Sequence, residues 1–224
     1  MKGKLIVIDG TDGSGKATQA NLLAERLRNE GFKVETVDFP QYGKKSAALA
    51  EEYLNGSFGT ADDVGPYRAS VFFACDRYEA APRIRKWLEQ GRIVISNRYV
   101  SANMGHQAGK IRETAERDRF LEWLDNLEYN IFKIPRPDIQ ILLFVPPETG
   151  QKLVDKKGHR DYVGGEARDM HENDIEHLKN ASETYKYVAE KFSWIILNCA
   201  PENKLMSRKD ISSALWKKIE HLIK

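Results

Sequence analysis

Short apolar runs alternate along this chain with longer amphipathic stretches. The runs are Leu5–Ile8, Val34–Phe39, Ile93–Ser96, Ile139–Val145 and Trp194–Leu197, each about strand length. Between them, Leu22, Leu23 and Leu27 recur at helical spacing within Lys16–Asn29. A longer helical pattern covers Tyr67–Gln90, where Pro82 is expected to bend or break it. Further helices are predicted over Ser46–Leu54, Ile111–Asn130, Asp174–Lys191 and Ile211–Ile223. Strands that are apolar throughout, separated by helices, belong to a parallel sheet covered on both faces. The expectation is therefore an α/β fold with five parallel strands. Without an internal repeat, low-complexity tract or Pro/Ser linker, residues 1–224 read as a single domain.

Composition narrows the function classes. With 41% hydrophobic residues the chain has the material for a core, which excludes intrinsic disorder. Its 35 Lys+Arg offset 33 Asp+Glu without long blocks of one sign, so neither a nucleic-acid nor a membrane partner is expected. Any bound anion must be met locally. No apolar segment reaches the roughly 18 residues of a membrane span, and Leu5–Ile8 is too short for a signal-peptide core, so a soluble, cytoplasmic protein is expected. Cys75 and Cys199 are too few for a metal cluster or disulfide framework and are read as small buried hydrophobes.

Directly after the first strand comes Gly10-Thr11-Asp12-Gly13-Ser14-Gly15-Lys16-Ala17-Thr18. Strand, glycine-rich turn and helix start stand here in the order of a phosphate-binding loop. The glycines let backbone N–H groups turn around a phosphate, the helix start adds its positive dipole end, and Lys16 reaches the β and γ oxygens. Ala17 stands where such loops place the hydroxyl that ligates magnesium. Thr18, about 100° further round the helix, is expected at an α-phosphate instead.

Two further segments carry candidate chemistry. In Phe72-Phe73-Ala74-Cys75-Asp76-Arg77-Tyr78, Phe73 and Arg77 are one helical turn apart and share a face. That pairing offers an aromatic floor and a guanidinium edge for a pyrimidine, although alone it reads as well as a core phenylalanine beside a local ion pair. The third strand ends in Ser96-Asn97-Arg98-Tyr99-Val100-Ser101-Ala102-Asn103, then Met104-Gly105-His106-Gln107. Strand ends in a parallel sheet open into the ligand crevice, so Arg98 is placed to grip a second phosphate near Lys16. Asn97, Asn103, His106 and Gln107 add capacity for base and sugar hydrogen bonds.

Residues 154–171 carry Lys156, Lys157, Arg160 and Arg168 among Gly158, Gly164 and Gly165, with little apolar periodicity. The segment reads as a basic loop, either a solvated connection or a closing lid. His171 and His177 are six apart, not the one-turn pair of a zinc helix.

Taken together, GTDGSGKAT after a strand, Phe39-Pro40, FFACDRYEA, NRYVSANMGHQ and Glu172-x-Asp174 before a helix resemble the thymidylate kinase family over nearly the whole chain. The resemblance implies a P-loop kinase fold with a basic lid, a homodimer, and ATP-Mg-dependent phosphorylation of dTMP to dTDP in dTTP synthesis. By that resemblance, residues 10–18 bind ATP and Lys16 holds its phosphates. Phe73 stacks on thymine, and Arg77 bonds the base edge. Phe39 and Pro40 shape the sugar site, and Asp12 meets the sugar 3′-hydroxyl and acceptor phosphate. Arg98 clamps that phosphate, while Asn103 and Gln107 line the pyrimidine site. Arg160 or Arg168 supplies transition-state charge from the lid. The chain departs from the family's Asp-Arg-Tyr at Asn97, from its hydroxyl at Ala17 and from its aromatic at His106. Asp9 or Asp12 is therefore expected to take the metal-facing carboxylate role, Asp12 being preferred because its place in the loop faces both phosphates, with magnesium held mostly by the nucleotide phosphates. Two other readings stand beside this one: a kinase for another nucleoside monophosphate or deoxynucleoside, and an inactive nucleotide-binding regulatory protein.

Overall fold

The structure, a computed structural model, describes residues 3–147, 149–150, 153 and 175–223. The predicted lid at 154–171, with Arg160 and Arg168, lies outside them. Five strands form one parallel sheet: β1 (Lys4–Asp9), β2 (Val34–Asp38), β3 (Ile93–Asn97), β4 (Ile139–Phe144) and β5 (Ile195–Asn198), in the order β2-β3-β1-β4-β5. Each strand falls within a residue or two of an apolar run. The register pairs Ile8 with Asn97, and Asp38 with Asn97 on the other side.

Alternation along β1 divides the core. Ile6 and Ile8 join Leu23, Leu27, Leu215 and Trp216 under α1 (Lys16–Asn29) and the C-terminal helix. Leu5 and Val7 join Ala80, Ala81, Ile84, Phe120 and Leu121 on the opposite face. Both faces are covered, which is why the strands carry no polar alternation.

The helices are α1, α2 (Ala48–Leu54), α3 (Ala61–Glu89), α4 (Val100–His106), α5 (Thr114–Asp125), α6 (Ile175–Lys191) and α7 (Arg208–Ile223). Three differ from expectation. α3 starts earlier than predicted, at a capping box: Thr60 Oγ1 accepts from Asp63 N (3.2 Å) and Asp63 Oδ2 accepts from Thr60 N (2.8 Å). It is interrupted at Gly65 (φ 74°, ψ 164°) rather than at Pro82, through which it runs. The single helix expected over Ile111–Asn130 is trimmed at its start because the Glu113 carboxylate caps Ala115 N and Glu116 N. At its other end, Asn126–Ile131 widens into a π-turn, where Phe132 N donates to Leu127 O five residues back (2.8 Å).

The sequence predicts no helix over α4, whose Ser101, Asn103 and Gly105 are weak helix formers. Packing stabilises it. Gly105 sits against the Tyr185 ring of α6 so closely that a Cβ would enter the ring. Cys199 is buried, which pushes its thiol up to about 12. Cys75 corrects the expectation: it lies on the exposed side of α3, one position from the buried Ala74 and Asp76.

Candidate active site

The strand order reverses direction between β3 and β1, and a crevice opens beyond the carboxyl ends of such adjacent strands. The predicted phosphate loop fills the end of β1. Gly13 adopts φ 80°, and a Cβ there would meet the Gly150 carbonyl, so this turn needs glycine. Gly15 (φ 86°) leads into α1, whose first turn carries no acidic side chain. The first N–H groups of that helix have no intrahelical acceptor, and with the dipole they make an anion site. Lys16 is buried. Its Nζ donates to Thr11 O (2.9 Å) and lies 3.5 Å from Asp12 Oδ1. Ala17 is exposed and Thr18 half-buried on the first turn.

Arg98, the first residue after β3, stands across the loop from Lys16. It takes a left-handed φ of 64°, unusual for a side-chain-bearing residue, and two bonds hold it there: its N–H donates to Ile8 O (3.0 Å) and its carbonyl accepts from Ser96 Oγ (2.5 Å). Its Nη2 donates to Asp12 Oδ1, and Nη1 lies 3.2 Å from His106 Nε2. Burial works against its charge, but Asp12 together with Tyr185, Asp9 and Tyr42 outweighs that and holds Arg98 well above its ordinary pKa. Asp12 thus lies between the two predicted phosphate grips. The carboxylate expected to face magnesium is ion-paired to both cations instead.

Asp9, the alternative to Asp12 for the metal-facing role, is held inside the fold. It is fully buried, and its Oδ1 accepts from Gly10 N (2.8 Å) and Tyr185 OH (2.9 Å) while Oδ2 accepts from Ser101 Oγ (2.6 Å). Burial and then the Asp9 charge push the Tyr185 phenol well above its usual range. The network ties the base of the loop to α4 and α6.

A second chamber adjoins Asp12 and Arg98. Phe39, Pro40, Phe73, Arg77, Tyr99, Asn103, His106 and Gln107 line it, so the structure brings the predicted base and sugar residues together. Phe73 meets the Tyr53 ring edge-on (6.0 Å, 87°), and Asn103 Nδ2 donates to Ser70 O (3.2 Å). Asp76 and Arg77 of α3 diverge in their tasks. Asp76 accepts from Gln41 N (2.8 Å) and Ser46 Oγ (2.6 Å), which fastens the segment after Pro40. Arg77 is buried and donates to Glu128 Oε1 through Nε (2.9 Å) and Nη2, and to Tyr99 O through Nη1 (3.3 Å). Burial works against the Arg77 charge, but the charge and hydrogen bonds of Glu128, with Tyr99 and Tyr129, together outweigh it and leave the pKa raised. Glu128 is fully buried in the π-turn and was not anticipated; nothing local marks it, since its partner is 51 residues away.

Asn97 does not line this chamber. It lines a separate cavity with Ala17 and Asp38, and its Nδ2 donates to Asp38 Oδ1 (2.8 Å).

The chain is similar to known proteins over most of its length. A family model described as thymidylate kinase matches residues 8–211. The thymidylate kinase of Mycobacterium tuberculosis (strain H37Rv) is 34% identical over 187 residues, 83% of this chain and 85% of the relative. That of Plasmodium falciparum is 29% identical over 194 residues, 87% and 81% of the two chains. The solved structure of Candida albicans thymidylate kinase superposes with a TM-score of 0.75 at 22% identity, covering 98% of this chain and 92% of that one, and so shares the fold. The match from residue 8 to 211, together with the extent of the bacterial relative, establishes that the chain belongs to the thymidylate kinase family.

Proposed function

We propose that this chain transfers the γ-phosphoryl group of ATP to dTMP, giving ADP and dTDP. The observation that carries this reading is the pairing of Lys16 and Arg98 about one carboxylate, Asp12, beside an aromatic chamber. Two cationic grips on adjacent strand ends suit two phosphate groups brought in line for transfer.

The loop N–H groups and Lys16 take the donor phosphates, and Arg98 takes the acceptor phosphate. An acceptor oxygen forms the new bond to the γ-phosphorus, the bond to the β–γ bridging oxygen breaks, and its electron pair leaves on ADP. Lys16 and Arg98 stabilise charge on the transferring group and on the oxygens at either end. Asp12 fixes both cations and lies beside the sugar position. Phe73 supplies the base platform, Arg77 its hydrogen-bonding edge, and Asn103 and Gln107 further polar contacts. Phe39 and Pro40 wall the sugar. Buried oxygens of Thr11, Ser14 and Gln107 have no hydrogen-bond partner among the described residues, as expected of groups that meet a ligand. Magnesium brought by ATP supplies neutralisation of the donor phosphates when bound. The basic segment 154–171, with Arg160 or Arg168, serves as the lid of a single 224-residue unit.

No helix among the described residues is long and apolar enough to cross a membrane. We place the activity in the cytoplasm, in a homodimer. The exposed Tyr78 and Ile131, on α3 and the adjoining π-turn, suit the dimer contact.

The experiment is a coupled ADP-release assay with ATP and each nucleoside monophosphate. The largest kcat/KM is expected for dTMP; a larger value for AMP, GMP or CMP would overturn the base assignment.

A further inference from the structure

The cavity beside the loop is lined by Ala17 from the first turn of α1, Asp38 from the end of β2 and Asn97 from the end of β3. It therefore adjoins the helix start proposed to take the donor phosphates. Ala17 contributes only a methyl group where phosphate loops of this pattern present a hydroxyl to magnesium. Asp38 and Asn97 are register partners, and the amide Nδ2 of Asn97 donates to Asp38 Oδ1 (2.8 Å). That bond fixes the amide, since a carboxylate accepts and only the nitrogen can face it. The other end of the amide, Oδ1, is then left buried without a partner among the described residues.

The remaining carboxylates near the loop are engaged. Asp9 is enclosed by Gly10, Ser101 and Tyr185, and Asp12 is paired with Arg98 and Lys16. Asp38 lines the cavity; burial raises its pKa, and the Asn97 hydrogen bond and the charges of Arg98 and Lys16 oppose that rise. Magnesium favours oxygen donors, keeps several waters, and is commonly held by one or two carboxylates plus phosphate oxygens. One open carboxylate, an orphaned amide oxygen and a cavity fit that demand. Among the described residues no three His, Cys, Asp or Glu side chains gather into a protein-only metal site, which leaves a nucleotide-borne ion as the form the site can take.

We propose that Asp38, oriented by Asn97, is this chain's carboxylate toward the magnesium bound with the nucleotide, replacing the hydroxyl absent at Ala17 and the role expected of Asp12. The inference rests on reading the loop as the donor site.

The test uses Mn²⁺ as the probe. Free Mn²⁺ is followed by electron paramagnetic resonance during titration of the full chain saturated with ADP, and metal-free ADP affinity is measured in parallel. In Asp38→Asn, Mn²⁺ affinity of the ADP complex should fall on the order of tenfold while metal-free ADP affinity stays within about twofold. The exchange variant Asp38→Asn/Asn97→Asp, which returns one carboxylate to the pair, should recover most of the loss. Unchanged Mn²⁺ affinity in Asp38→Asn, or a loss that the exchange leaves in place, would overturn the assignment while the donor site stands. Failure of the unaltered chain to bind ADP would instead remove the donor site, and this inference with it.

Discussion

Arg77 donates through both Nε and Nη2 to a single oxygen of Glu128, in a pair that is almost wholly buried behind the base chamber. Glu128 therefore sets the plane of the guanidinium, and the third contact, Nη1 to Tyr99 O, fixes its tilt. A base edge would meet an arginine that has almost no freedom left. Substituting Glu128→Gln keeps the volume but leaves a buried charge uncompensated, which costs on the order of 3 kcal/mol. For a chain of this size the melting temperature should drop by roughly 6–12 °C. The KM for dTMP should rise about tenfold with a smaller change in kcat. A KM within twofold of the parent in the folded variant would remove Arg77 from base recognition.

Lys16 provides the loop's side-chain charge at the transferring group. Lys16→Met should lower kcat by about a hundredfold or more while circular dichroism and melting stay near the parent. Turnover close to the parent would exclude the loop from the reaction.

Arg98 serves two partners with different nitrogens, Asp12 through Nη2 and His106 through Nη1. A lysine carries the charge but has no fork, so Arg98→Lys cannot reproduce both directions. Steady-state kinetics should show kcat/KM for dTMP reduced by about 10²-fold and the KM for ATP little changed. A near-parent value would mean that charge alone is sufficient at the acceptor phosphate.

Lys110 donates to Tyr53 OH beneath the ring that supports Phe73, and burial brings its pKa down to about 8. Its folded pKa lies below the unfolded value near 10.4. Below about pH 8 both states hold the proton, and the cost of burying the charge is fully present. Between about pH 8 and 10.4 the unfolded state binds more protons, so this group makes stability rise with pH. Urea unfolding at pH 7.5 and 9.5 should show the parent gaining about 1 kcal/mol relative to Lys110→Met, after allowance for partial solvent screening. Parallel pH dependence in the two proteins would show that Lys110 stays charged throughout.

What the sequence disclosed depended on how far a residue's partner lay along the chain. Leu5–Ile8 and Gly10–Thr18 announce a strand and a phosphate loop because their signal is contiguous and local. Phe73 and Arg77 were legible through helical spacing. Glu128 and Asp38 were not, because their meaning comes from residues 51 and 59 positions away, brought together only by the fold. α4 was hidden for a related reason: its weak formers are held by Tyr185 packing rather than by their own propensity. Asp12, expected at the sugar 3′-hydroxyl and acceptor phosphate, is ion-paired with Lys16 and Arg98, partners that no local pattern in the sequence marks.

The segments proposed to grip the two phosphates follow β1 and β3, which are hydrogen-bonded neighbours in one ladder. Backbone pairing holds those two strand ends at about the 4.8 Å between adjacent strands, and the turn from Gly10 to Gly15 sets where Lys16 stands beyond them. The chamber proposed for the base is built largely from α3 and α4, elements attached to the sheet rather than part of it. Arg98 couples the two, since it follows β3 directly and meets His106 of α4, so an exchange on that helix is felt at the strand end as well.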